Sequence, residues 1–125
     1  MQEISHSCGY AATDPALWVD HLTPDQGTTK PPLVLLHGGG HTGTCYLKKP
    51  DGGEGWAKQF AKLGYPVHVL DWPGMGRSGR VEYPDLTGDF LCKTIGAFIE
   101  TLPEPCVLLT HSMSGAYGWR LVQNF

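Results

Sequence analysis

The chain has 125 residues, of which 41% are hydrophobic and 17% charged, and its formal net charge is −3. This length and composition predict one small domain that buries an apolar core. The acidic balance argues against a nucleic-acid surface, which needs a basic face. No apolar run is long enough to cross a membrane, and residues 1–10 lack the basic start and apolar stretch of a signal peptide, which leaves a processed secreted chain open.

Four cysteines are present, and none of them forms a CxxC pair: Cys8, Cys45, Cys92 and Cys106. The Cys and His residues also lack the spacing of a zinc site. Cys92 and Cys106 fall in a predicted helix and strand, so buried free thiols are the simpler interpretation, with disulfides as the alternative. The sequence implies no metal and no organic cofactor.

Short apolar runs predict the strands. Residues 1–14 are expected to form an irregular lead-in, and residues 16–22 a short strand. Continuous apolar runs are typical of strands that are buried on both faces. Such runs occur at 33–36 and 107–109, and residues 67–70, where His68 stands among apolar residues, predict a further buried strand.

Three helices are predicted between and after these strands. The first covers 55–63, with Trp56, Phe60 and Leu63 on the face toward the core, and it stops at Gly64. The second covers 87–102, and the third 115–123. Five apolar side chains of the second helix are expected to face the core: Phe90, Leu91, Ile95, Phe98 and Leu102.

The alternation of strands and helices predicts right-handed crossovers and a parallel sheet. Loops that follow parallel strands meet at one edge of the sheet, where such sheets bind ligands. Three loops are therefore expected to converge: 37–44, 71–79 and 110–115.

The last of these loops has the layout of a nucleophile elbow. Thr110-His111-Ser112-Met113-Ser114-Gly115 follows an apolar strand and opens a helix. A serine at such a sharp turn needs small neighbours, since larger side chains would collide with the helix or with the next strand. Thr110, Ser114 and Gly115 meet that need, although they only approximate the pattern G-x-S-x-G.

Taken in order, the three loops resemble those of an α/β-hydrolase. The matching motifs are His37-Gly38-Gly39-Gly40, then residues 71–79 (DWPGMGRSG), then the Ser112 elbow. The resemblance covers residues 33–124.

The resemblance implies a lead-in with a short strand at 1–32, followed at 33–125 by the N-terminal half of a hydrolase domain. That half would have a mostly parallel sheet with helices on both faces, incomplete without a second chain. Pro50-Asp51-Gly52 and Gly55-Trp56, ahead of Gly64-Tyr65, further resemble an esterase-like subgroup.

The resemblance implies Ser112 as the nucleophile. The backbone N–H of Met113 would form half of the oxyanion hole. Gly39 would supply the other N–H, with Gly40 as the alternative. Glycine there lets the backbone approach a substrate closely. Serine at the elbow argues against the dehalogenases and epoxide hydrolases of this fold, which use aspartate.

The family's acid and base do not appear in this chain. They follow the serine along the family's sequence, but the 13 residues after Ser112 contain no His, Asp or Glu. His37 is interpreted as structural, His111 is expected to point away from the serine oxygen, and His41 is a candidate substrate contact. Asp71 is expected to brace its own loop.

Other aromatic and sulfur-containing residues have two interpretations. Trp72, Met75, Met113 and Tyr46 would either line an apolar acyl pocket or belong to the core. Residues 74–79 also match GxGxxG, but a dinucleotide-binding loop should open a helix at once, and a loop follows here. The glycines at 38–44 resemble a P-loop but lack its lysine.

The predicted function is that of a serine hydrolase acting on a carboxylic ester or lactone through an acyl-enzyme. Amides and C–C bonds also remain compatible with serine. A second chain or C-terminal fragment is expected to supply the acid and the His, and to cover an apolar strand edge that would otherwise be exposed. The alternative is a non-catalytic binding or receptor module of the same fold.

Overall fold

The computed structural model describes residues 2–125, which form one five-stranded sheet with helices on both faces. The strands lie in the spatial order β1-β2-β4-β3-β5. Their bounds are β1 Ile4–Ala11, β2 Leu17–Pro24, β3 Leu33–Leu36, β4 Val67–Leu70 and β5 Val107–Thr110. The α/β class predicted from the sequence is confirmed.

The sheet is mixed. β3 pairs in parallel with β4 and with β5, as predicted, whereas β1 pairs antiparallel with β2, and β2 antiparallel with β4. The expectation of an irregular lead-in is therefore wrong, because β1 pairs with β2 from Ile4 to Ala11. Most of β1 is exposed, so it lacks the apolar pattern by which a buried strand is recognised.

Four α-helices and one 3₁₀ helix connect the strands. Their bounds are α1 Thr44–Leu47, α2 Trp56–Lys62, the 3₁₀ helix Tyr83–Asp85, α3 Gly88–Glu100 and α4 Ser114–Asn124. The Thr87 hydroxyl caps α3 by accepting from Phe90 N–H. Within residues 2–125, no helix has the length and apolar character that a membrane span requires.

The two faces of the sheet carry separate apolar cores. On one face, α3 and α4 bury Leu91, Ile95 and Leu121 against the strands. On the other face, α1 and α2 cover Leu35 and Val69. The second and third predicted helices are confirmed, and α3 buries Leu91, Ile95 and Phe98 as expected, with Phe90 and Leu102 only half-buried.

The predicted inner face of α2 is confirmed for Phe60, which packs against the core, and wrong for Trp56 and Leu63. Trp56 is 57% exposed and Leu63 54%, whereas Ala57 and Ala61 are fully buried against the sheet. Small side chains let the helix axis lie close to the strands, so the alanines take the inner face and the large residues are left outside.

β5 forms one edge of the sheet, and its surroundings are apolar. Val107 is 50% exposed, and Trp119 and Val122 on α4 are 74% and 66% exposed. The unpaired apolar edge expected from the sequence is therefore present within residues 2–125.

The cysteine thiols are all free. Cys8 and Cys45 are exposed, Cys92 is buried and Cys106 is half-buried. The interpretation of buried free thiols therefore holds fully for Cys92 and in part for Cys106.

Candidate active site

Ser112 occupies the turn between β5 and α4. Its φ is +56°, and within residues 2–125 no other residue except glycines has a positive φ. This left-handed conformation is costly for a residue with a side chain. Two backbone hydrogen bonds hold the turn: Ser114 N–H donates to His111 C=O at 3.1 Å, and Gly115 N–H donates to Ser112 C=O at 2.9 Å. Ser112 is exposed, so the turn presents its hydroxyl to solvent.

The loop after β3 lies directly against this turn. A Cβ placed on Gly38 would be 3.2 Å from Ser112 Cβ and 2.8 Å from His111 Nδ1. A Cβ on Gly39 would be 3.1 Å from Met113 Cε. The resemblance named Gly39 and Gly40, whereas the tightest contact with the turn is at Gly38. The only sequence signal for Gly38 was its place in a run of three glycines.

Three backbone N–H groups of this region are unused. Across residues 2–125, neither Gly39 N–H nor Met113 N–H donates a hydrogen bond, and Gly40 N–H donates none either. Gly40 has φ +79°, next to the turn that His41 N–H closes on Gly38 C=O at 3.2 Å. The fold therefore brings together the residues that the resemblance named, at the amino end of α4, where the helix dipole favours negative charge.

His37 is a structural residue, as its interpretation from the sequence stated. It is fully buried, its Nδ1–H donates to Gly38 C=O at 2.8 Å, and its Nε2 accepts from Trp72 N–H at 2.9 Å. Its ring stacks on that of Trp72, with the ring centres 5.1 Å apart. Burial lowers the pKa of His37, chiefly by disfavouring the charged imidazolium.

Asp71 braces the loops, as expected. Its carboxylate accepts from Gly43 N–H at 2.7 Å, from Arg77 N–H at 2.9 Å and from Arg77 Nε at 3.2 Å. Ser78 adds to this brace: its hydroxyl donates to Asp71 C=O at 2.7 Å and accepts from Trp18 N–H at 2.9 Å. The carboxylate thereby connects the loops that follow β3 and β4.

The aromatic and sulfur-containing candidates for the pocket divide into two groups. Trp72 is buried in the core that α3 covers, so its assignment as a substrate contact is corrected, whereas Met75 is only half-buried against that core and its assignment stays a prediction. Trp72 Nε1–H donates to Ser114 Oγ at 3.0 Å, and the Tyr46 hydroxyl donates to Leu36 C=O at 2.8 Å. Met113, in contrast, is exposed.

Ser114 is a site residue that sequence reasoning treated only as a small neighbour. It is fully buried, and its hydroxyl donates to His37 C=O and accepts from Trp72 Nε1. This hydroxyl ties the start of α4 to the loops after β3 and β4. A serine two residues after the nucleophile was the only signal, and it carries no information about buried partners.

His41 and His111 lie side by side beside the turn. Both are exposed, and their ring centres are 5.5 Å apart. They line one part of a cleft of about 380 Å³ between α1, the start of α2 and β5. The remaining lining residues are Cys45, Tyr46, Lys49, Pro50, Gly55, Trp56, Leu109 and Thr110.

No base is paired with the serine in the part of the chain that the structure covers. No hydrogen bond joins the Ser112 hydroxyl to a side chain of residues 2–125. The same residues contain no group of three or more His, Cys, Asp or Glu side chains placed to hold a metal ion.

The GxGxxG segment at 74–79 is a closed loop. Gly74 N–H donates to Gly79 C=O at 2.9 Å, and Ser78 N–H to Met75 C=O at 3.0 Å. The next α-helix begins only at Gly88. A dinucleotide-binding loop opens a helix directly, so this segment lacks that arrangement.

Comparison with known proteins gives the same family as the motifs. A model of the alpha/beta hydrolase family matches residues 33–124. A probable secreted lipase of a fungal species is 24% identical, over 84% of this chain and 44% of the lipase. Protein phosphatase methylesterase 1 of Mus musculus is 31% identical, over 72% of this chain and 23% of the methylesterase.

The fold matches solved structures as well. A bacterial esterase superposes with a TM-score of 0.75 at 18% identity, over 97% of this chain and 62% of the esterase. This chain spans less than half the length of the lipase and of the methylesterase. The family model, the motifs and the sheet agree, and the chain belongs to the alpha/beta hydrolase family.

Proposed function

We propose that Ser112 is the nucleophile of a hydrolase that acts on carboxylic esters or lactones through an acyl-enzyme. The observation that carries this proposal is the φ of +56° at an exposed serine between a strand and a helix. A fold keeps such backbone strain where the surrounding structure imposes it, and strained residues cluster at active sites. Similarity to a lipase and to a methylesterase supports ester chemistry.

In this mechanism, the Ser112 oxygen attacks the ester carbonyl carbon while a base takes the hydroxyl proton. Negative charge then develops on the former carbonyl oxygen. The unused N–H groups of Met113 and Gly39 are the proposed donors to that oxygen, with Gly40 as the alternative to Gly39. One donor of this kind contributes a factor of about 10²–10³ to the rate. As the intermediate collapses, the base returns its proton to the leaving alcohol oxygen; the same base then deprotonates a water, which attacks the acyl-enzyme and releases the acid and the Ser112 hydroxyl.

The base and its acid partner are proposed to come from a second chain or a C-terminal segment beyond these residues. A serine hydroxyl is a weak nucleophile until a base removes its proton. None of the described side chains is hydrogen-bonded to Ser112, so this chain alone is expected to be nearly inactive. The open edge of β5 offers such a segment a place to join the sheet.

Ser112 has no side-chain hydrogen-bond partner among residues 2–125, and this observation favours a second candidate function. A fold that lacks a base next to its serine can bind a ligand without hydrolysing it. In that case, the unused N–H groups at Gly39 and Met113 would bind a ligand oxygen, and no acyl-enzyme would form.

Labelling with a fluorophosphonate separates the two functions. The assay uses this chain together with the segment that supplies the acid and the His. We expect covalent modification at Ser112, located by peptide mass spectrometry, and none in Ser112→Ala. Ser7→Ala is the matched control, since it removes an exposed serine hydroxyl on β1, at the opposite edge of the sheet, and leaves the turn around the nucleophile in place. An assembled protein that binds ester ligands but is not labelled would be a binding module.

A further inference from the structure

The cleft between α1, the start of α2 and β5 begins beside the nucleophile. His111 is the immediate neighbour of Ser112, and His111 and His41 form one part of the cleft lining. Lys49 and Pro50, on the connection between α1 and α2, form another part. A molecule with its ester group at Ser112 can therefore extend along this cleft toward Lys49.

The walls of the cleft suit an alkyl chain. Tyr46 and Leu109 supply apolar surface on the sheet side. Trp56 is 57% exposed at the start of α2, so its ring contributes little to the core and forms an open wall of the cleft instead. The volume of about 380 Å³ lies in the range of small-molecule sites, about 300–1,000 Å³.

The charge of the cleft differs from that of the whole chain. The chain has a formal net charge of −3, yet no Asp or Glu lines the cleft, and its charged side chain is Lys49. Burial raises the pKa of the Cys45 thiol, so no thiolate is present there at neutral pH to repel an anion. The cleft therefore combines apolar walls with a single positive charge.

Lys49 is available to a ligand. Among residues 2–125 its ion-pair partner is Asp51, at 3.8 Å between Nζ and Oδ2, and both side chains are more than half exposed. An exposed pair at this distance contributes little. Asp51 Oδ1 accepts from Gly53 N–H at 2.8 Å, which fixes Asp51 in the loop independently of Lys49.

We propose that this cleft binds the acyl part of an ester whose far end carries a carboxylate, with the ester at Ser112 and the carboxylate at Lys49. The proposal rests on the ester hydrolysis proposed above and specifies its substrate class as half-esters of dicarboxylic acids. One lysine is a compact point charge and can pair with one carboxylate at the far end of the acyl chain.

The test measures binding, so it needs no base. Monomethyl suberate is titrated into the Ser112→Ala variant of the assembled protein, this chain together with the segment that supplies the acid and the His, and dimethyl suberate, which has the same length and no charge, is titrated in parallel. Chemical-shift changes at Trp56 and Leu109 report occupancy of the cleft. We expect monomethyl suberate to bind the more tightly, by about fivefold, the effect of one partly exposed ion pair.

Three variants locate the charge. Lys49→Gln is expected to weaken binding of monomethyl suberate by about fivefold and to leave dimethyl suberate unchanged. Lys48→Gln is the matched control, since it changes the net charge equally but lies outside the cleft lining. Asp51→Asn keeps the oxygen that accepts from Gly53 and removes the competing charge, so it should tighten binding of monomethyl suberate.

Equal binding of the two esters, equal effects of Lys49→Gln and Lys48→Gln, or no binding of either ester in the cleft would overturn the proposal. Because Ser112 is replaced throughout, these outcomes do not depend on the nucleophile. Failure of fluorophosphonate labelling would instead remove the proposed ester hydrolysis and leave the binding result standing.

Discussion

The loop after β4 and the turn after β5 lie at the same edge of the sheet but satisfy their polar groups in opposite ways. In the first, the Asp71 carboxylate accepts three hydrogen bonds and the Ser78 hydroxyl makes two. In the second, the Ser112 hydroxyl makes no hydrogen bond to the rest of residues 2–125, and Met113 N–H is unused. The polar groups of the loop after β4 are thus satisfied within the protein. Those of the turn after β5 are left for solvent or for a ligand.

Two serines show the same contrast at closer range. Ser112 is exposed and has a positive φ, whereas Ser114, two residues later, is fully buried and bonded to His37 and Trp72. The residue type is the same, so the difference lies in position. Ser114 stabilises the turn, and Ser112 is the group that the turn presents.

Replacement of Ser112 gives the largest expected effect and tests this division of roles directly. Ser112→Ala should lower turnover of the assembled hydrolase by about 10⁴-fold or more, because the attacking oxygen is lost. Its free energy of unfolding should barely change, since no hydrogen bond is broken. Ester hydrolysis by purified protein and urea unfolding measure the two quantities. Near-normal turnover would contradict the mechanism.

Acid should lower the free energy of unfolding through His68, which lies on β4. Burial lowers the pKa of His68 to about 4 from 6.5, and His21 Nδ1 lies 2.8 Å from His68 Nδ1. The unfolded chain therefore binds more protons between these values, so the stability contributed by neutral His68 is complete above pH 6.5 and is lost as the pH falls toward 4. The loss is up to about 3 kcal/mol.

Urea unfolding of the wild type and of His68→Gln from pH 7 to pH 4 checks this prediction. The variant should show a flatter decline, since it lacks the titrating ring. His21 and His37 also have lowered pKa values through burial, so some decline should remain. Parallel declines in the two proteins would show that His68 is not responsible.

Asp71→Asn should lower the free energy of unfolding by disturbing the hydrogen bonds of the loop after β4, whereas Ser112→Ala should leave it nearly unchanged. The amide can still accept from Gly43 N–H, but its NH₂ group would face the Arg77 donors and leave them without an acceptor. We expect a loss of about 2 kcal/mol in the free energy of unfolding. The midpoint of urea unfolding measures it, and an unchanged midpoint would mean that the carboxylate does not brace the loops.

A pair of glycine variants gives the smallest effect and tests where the loop after β3 meets the turn. Gly38→Ala places a methyl group 2.8 Å from His111 Nδ1 and 3.2 Å from Ser112 Cβ, so it should displace the nucleophile and slow acylation by about tenfold. Gly39→Ala meets only the flexible end of Met113 and should act more weakly. Equal rates of fluorophosphonate labelling in the two variants would contradict this geometry.

The features that could be predicted from the sequence have strong local signals. Short, mainly apolar segments located β3, β4 and β5, and their order with the intervening helices identified the edge where the loops meet. The elbow was recognisable because a strained turn permits few residue types around its serine. His37 and Asp71 were interpreted correctly because each directly follows a buried strand.

Tertiary packing determines the structural features that the sequence did not predict. Ile4–Ala11 is mostly polar, and pairing with β2 makes it a strand. Trp56 and Leu63 share a helical face with Phe60, but close approach to the sheet selected Ala57 and Ala61. Trp72 belongs to the core, and Met75 packs against it, because their loop turns back under α3, a long-range contact without a local pattern.

The hydrogen bonds of His37 also make its ring a built-in probe. A carbonyl can only accept, so the bond to Gly38 fixes the ring proton on Nδ1, and Nε2 must take the Trp72 amide proton. Flipping the ring would break both bonds at once. The Nδ1 proton should therefore exchange slowly with water and give its own proton resonance. Loss of that signal would report opening of the loop beside the nucleophile before any global unfolding is visible.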